Sequence, residues 1–116
     1  MDLDVGTRTP AGFIPLSARS DTDDAYGVYL LCEGPLGITL HYMSPPAPGT
    51  KWFEFVSRSG AILTGVRSSA IALGAMNCVE NARLRKASFR SPGSAFQMVC
   101  KVDTIDSRAE IHLGRR

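Results

Sequence analysis

The sequence is short of the features that would place it at once. No apolar run approaches the roughly 20 residues of a membrane span, and no basic start leads into an apolar stretch like that of a secretory leader. Neither a span nor a leader is therefore predicted. There are three cysteines, Cys32, Cys78 and Cys100, an odd count with no CxxC pair. Cys78 and Cys100 sit in apolar patterns, so the three read as reduced thiols, buried in a cytoplasmic protein. The two histidines, His41 and His112, have no zinc-ligand spacing to each other or to a cysteine. Each falls on the polar side of a strand pattern and reads as a surface residue. There is no GxSxG elbow, no catalytic-cysteine signature and no phosphate-binding glycine pattern. Asp21-x-Asp23-Asp24 resembles the start of a calcium loop, but Tyr26 and Cys32 stand where Gly and Glu are needed. These absences leave no nucleophile, base, metal, cofactor or small-molecule substrate to name, and they argue against an enzyme.

What is present is ordinary globular composition. The chain has 116 residues, 44% of them apolar and 21% charged, which suits one domain with one core. The formal net charge of +2 does not by itself suggest nucleic acid. The charge is unevenly placed, however. Residues 1–50 hold six acids against two bases, and residues 51–116 hold eleven bases against five acids. That asymmetry can steer a charged partner or pair two copies head to tail.

Residues 1–24, rich in Gly, Pro, Ser, Thr and Asp, read as a flexible N-terminal arm with an apolar patch at Phe13, Ile14 and Leu16. Residues 25–116 read as a single domain. Tyr26–Cys32 and Gly37–Met43 are strand candidates joined by a Gly-Pro link of hairpin length. Ser44–Gly49, with three prolines, reads as an exposed loop or sheet edge. Lys51–Ser57 and Ala61–Val66 read as two further strands around an Arg58-Ser59-Gly60 turn. A helix is predicted from a Ser68 or Ser69 cap to about Leu84, with Ala72, Ala75, Met76, Val79 and Ala82 as its apolar stripe and Gly74 allowing close packing on the sheet. Ala95–Asp103 and Arg108–Leu113 alternate as a final pair of strands. The expected fold is α+β, in the order ββββαββ, with one main helix on one face of an antiparallel sheet.

Residues 52–82 resemble the YegP-like domain of unknown function. The resemblance rests on Trp52-Phe53-Glu54-Phe55, the Ser59-Gly60 turn, Ala61-Ile62-Leu63-Thr64, and the helix from Ser68-Ser69 through Val79-Glu80-Asn81-Ala82. It covers about a quarter of the chain, and Ser59 and Val66 depart from its usual Asn and aromatic. It implies a compact α+β fold with no known activity, and adds no site residues.

One helix covers little sheet, so the other face is expected to be polar, covered by the arm or buried against a partner. The sequence therefore points to a small protein-binding module, a regulator or inhibitor, acting on another protein or on a second copy through a sheet face or edge. Phe13, Ile14, Trp52 and Tyr42 are its candidate binding residues. The alternative is nucleic acid, met by the basic cluster Arg83, Arg85, Lys86 and Arg90, with Trp52 or Tyr42 stacking on bases.

Overall fold

The computed structural model describes residues 3–10, 12–19, 25–31, 38–87, 89–91 and 96–115. In chain order they form β1 (Asp4–Val5), β2 (Ile14–Arg19), β3 (Ala25–Leu31), β4 (Thr39–Met43), α1 (Thr50–Thr64), α2 (Ser68–Arg85), β5 (Phe89–Ser91), β6 (Phe96–Val102) and β7 (Ala109–Arg115). The strands make one antiparallel sheet in the order β1-β2-β3-β4-β7-β6-β5. The class is α+β, with two helices where one was expected. The helix pair separates two meanders, and the β4–β7 pairing joins them into one sheet.

Alternation builds the two central strands. Leu40 and Tyr42 of β4, and Ala109, Ile111 and Leu113 of β7, are buried on the inner face. Phe96, Met98 and Cys100 of β6 join them, and Leu16 and Val28 extend the same layer toward β1. The intervening residues point outward, as the period of two requires.

Residues 50–64, read as two strands and a turn, are a single helix. The aromatic content of Trp52, Phe53 and Phe55 favours strands, but burial follows a helical spacing. Trp52, Phe55, Val56, Ser59, Gly60 and Thr64 are all buried along one stripe. Gly60 is not a turn residue. A Cβ there would stand 3.1 Å from Ile71 of α2 and 3.2 Å from Leu113 of β7, so its bareness lets α1 approach both. The helix ends at Gly65, whose φ of 78° is the left-handed conformation of a glycine stop. The strands on which the family resemblance leaned, Trp52–Phe55 and Ala61–Thr64, are thus helical.

Within the stretch expected as an arm, the described residues form two strands. β2 pairs with β3 from Ile14↔Leu30 to Arg19↔Ala25, and β1 adds Asp4↔Ser17. Leu16 is a core residue. Glycine and proline around 6–15 hid a short strand whose partner is local.

In α2 the buried stripe is Ile71, Ala75, Cys78 and Ala82, rotated from the expected one, and Met76 is exposed. The rotation follows from Cys78, which bonds Cys100 of β6 as a disulfide with Cα atoms 5.8 Å apart. These two cysteines are buried as expected but are not reduced thiols; Cys32 lies outside the described residues. Arg67 occupies the N-cap without a side-chain bond, so Ser68 starts the helix but does not cap it. Gly74 does allow close packing, since a Cβ there would stand 3.1 Å from the Phe96 ring.

Tyr42 bolts the sheet to α1. Its hydroxyl lies 2.8 Å from Ser59 Oγ, which donates onward to the Phe55 carbonyl at 2.6 Å. Its ring meets Phe55 edge-on at 6.0 Å. Burial pushes the Tyr42 phenol well above its ordinary pKa, with the Ser59 bond acting the other way.

Candidate functional site

Both helices pack on the inner face. α1 meets it through Tyr42 and Tyr26, and α2 through Phe96, Met98 and the disulfide. No described helix covers the outer face. The paired registers lay one transverse row across it, Pro15–Tyr29–His41–His112–Val99. Val99 in turn pairs with Arg90 of β5, whose side chain lies outside the description. Tyr29 is 47% exposed in this row. A second row follows the same alternation. It takes in Asp4 and Ser17, then Gly27 and Met43, then Glu110 and Lys101. Met43 is 48% exposed. Two open hollows of about 370 and 460 Å³ flank Met43, one reaching Asp4 and the other reaching Lys101.

At the centre stand three polar side chains that no sequence spacing united. His41 Nε2 lies 2.8 Å from Glu110 Oε1, and His112 Nε2 lies 3.0 Å from the same oxygen. The two imidazoles stack with centroids 4.1 Å apart. His41 is directly opposite His112 in the β4–β7 register, and Glu110 shares their face two residues before His112. The His112 hydrogen bond lowers the Glu110 pKa; partial burial opposes it, and the His41 bond adds to it. His41 and Glu110 are each 27% exposed, and His112 is 46% exposed. The two histidines are surface residues, as the alternation predicted, yet they converge. Sequence reading missed this because 69 residues separate His41 from Glu110 and only the β4–β7 pairing joins them.

The other candidates are placed differently. Trp52 and Tyr42 are 1% and 0% exposed, so both are core residues and neither offers a surface to a protein or a base. Tyr42 is on the expected strand β4 but on its inner face, under α1, and Trp52 lies on the buried stripe of α1 itself. Ile14 packs against the core. Phe13 is half-buried beside the outer face, edge-on to Tyr29 at 6.3 Å. Ser44–Gly49 is not a sheet edge, since it follows the central β4, and Ser44 continues the β4–β7 pairing by taking the Ala109 amide at 2.7 Å. Among the described residues the sheet edges are short, β1 with two residues and β5 with three. Short edges resist pairing with another strand.

Arg83, Arg85 and Lys86 are exposed at the end of α2, away from the outer sheet face. Arg83 pairs with Glu80 one turn back. This local pairing leaves the cluster less basic than its sequence suggests. No known family, curated protein or solved structure matches the chain.

Proposed function

We propose that the protein is a non-catalytic interaction module that associates with a second copy of itself through the outer face of its sheet. The carrying observation is that no described helix covers this face, while Tyr29 and Met43 are exposed at its middle.

Self-complementarity favours a second copy over a foreign partner. Consider a two-fold axis along the strands between β3 and β4. It sets β1 over β6, β2 over β7 and β3 over β4. Asp4 then faces Lys101, and Met43 faces the bare Gly27. Tyr29 faces His41. Each pair occurs twice, as an isologous interface demands. Stacked sheets of this kind keep their strands roughly aligned, about 10 Å apart. Addition of a strand at an edge is disfavoured by the short β1 and β5.

Among the described residues no helix is long and apolar enough to cross a membrane. A cytoplasmic placement, expected from reduced thiols and from the lack of a leader or span pattern, loses the first of these grounds to the Cys78–Cys100 bridge, because disulfides persist in oxidising surroundings.

Sedimentation velocity at micromolar concentration tests the reading. The expected result is a dimer that dissociates in the Tyr29→Glu, Met43→Glu double variant, while Leu73→Glu on α2 leaves it intact. A strict monomer, or a dimer that only the α2 variant disrupts, overturns it.

A further inference from the structure

We propose that His41, His112 and Glu110 form a binding site for a divalent transition-metal ion of the zinc class. The proposal stands on three side chains of one chain and does not need the self-association above.

The donors are already gathered. The candidate ligand atoms of all three residues lie within 4.8 Å of one another. A tetrahedral zinc ion bound at about 2.0–2.1 Å needs donor–donor edges of about 3.3–3.4 Å. The two nitrogen–oxygen edges here are 2.8 and 3.0 Å and the third edge lies within 4.8 Å, so shifts of about half an ångström together with a turn of the stacked rings toward a common point open the set to an ion. The ion takes the place of the two imidazole–carboxylate hydrogen bonds. Each ring then binds through Nε2 and carries its proton on Nδ1.

The scaffold favours this geometry. Two of the donors come from one strand, two residues apart, and the third from the directly paired position on its neighbour. Both strands are interior to the sheet, so their spacing is fixed by ladders on either side. A site on such a rigid frame loses little freedom on binding. Three protein donors leave one position open toward the outside, as in zinc sites that keep a water or an external ligand.

The donor chemistry selects the ion. Two imidazoles and one carboxylate suit zinc, copper or nickel, whereas magnesium and calcium seek oxygen-only sets. The rest of the row supplies no competing thiol, because Cys78 and Cys100 are paired with each other on the inner face.

Isothermal titration of the metal-free, disulfide-bonded chain with zinc chloride tests the proposal. One ion per chain is expected, with no heat from magnesium chloride. His41→Gln and His112→Gln should each weaken zinc binding by about tenfold or more. Cys32→Ser should leave it unchanged. Both histidines lie on the helix-free face, and an unaltered circular dichroism spectrum checks that the variants remain folded. A rise in melting temperature with zinc, lost in the two histidine variants, gives a second readout. Absence of zinc binding, or binding that survives both histidine substitutions together, overturns the assignment.

Discussion

The inner and outer faces of the sheet are written by the same strands, one residue out of step. On β4, Leu40 and Tyr42 face the core and are fully buried, while His41 between them stays partly exposed. On β7, Ile111 is sealed and its neighbours Glu110 and His112 are not. The inner face obtains its cohesion from helices that span it, a disulfide and a buried tyrosine–serine bond. The outer face holds an exposed tyrosine and methionine around a cluster of imidazoles and a carboxylate. One face therefore fixes the fold, and the other is free to carry function. Antiparallel sheets with one covered face permit this division.

Substitutions on the two faces should differ in proportion. Trp52→Ala removes the largest fully buried side chain, and urea unfolding should show a loss of about 3–5 kcal/mol. A much smaller loss would mean that α1 does not seal the inner face. Replacing Cys78 and Cys100 together by Ala should cost about 3 kcal/mol, since the bridge closes a loop of 22 residues. If the pair were reduced in the native protein, a reductant would leave the melting temperature unchanged.

Tyr42→Phe should cost about 1 kcal/mol, the worth of one buried hydrogen bond. Alkaline titration examines the same contact. The folded Tyr42 phenol holds its proton above the ordinary value of about 10, where the unfolded chain gives it up. Stability is therefore complete below that pH and declines as the pH rises beyond it. The Tyr42 phenolate signal should appear only as the fold is lost, and its appearance in the intact protein would contradict the packing. At the small end, in chain dilute enough to be monomeric, His41→Ala and Tyr29→Thr on the outer face should each change stability by no more than about 0.5 kcal/mol. A larger cost from either would place that residue among the supports of the fold.

Much of the sheet could be read in advance, and the reason is alternation. β3, β4, β6 and β7 fall where runs such as Phe96-Gln97-Met98-Val99-Cys100 repeat with period two. α2 was legible from its length and its alanines, but of its buried stripe only Ala75 and Ala82 were. Met76 is apolar yet exposed, and the stripe turns on the pairing of Cys78 with Cys100. α1 misled because aromatic residues and a glycine mimic a hairpin. The spacing of Trp52, Phe55, Val56 and Ser59 was already helical. The histidine–glutamate cluster was out of reach for another reason. Each residue could be put on a polar face, but only the pairing of the fourth strand with the last one brings those faces together.

Methionine oxidation compares the molecule's two sides directly. Met43 on the outer sheet face and Met76 on α2 are 48% and 57% exposed, so dilute peroxide should attack both in an isolated chain. As protein concentration is raised into the range of self-association, mass spectrometry should show Met43 becoming protected while Met76 continues to oxidise. Protection of Met76 with Met43 still reactive would put the contact on the helical layer and contradict a working outer face.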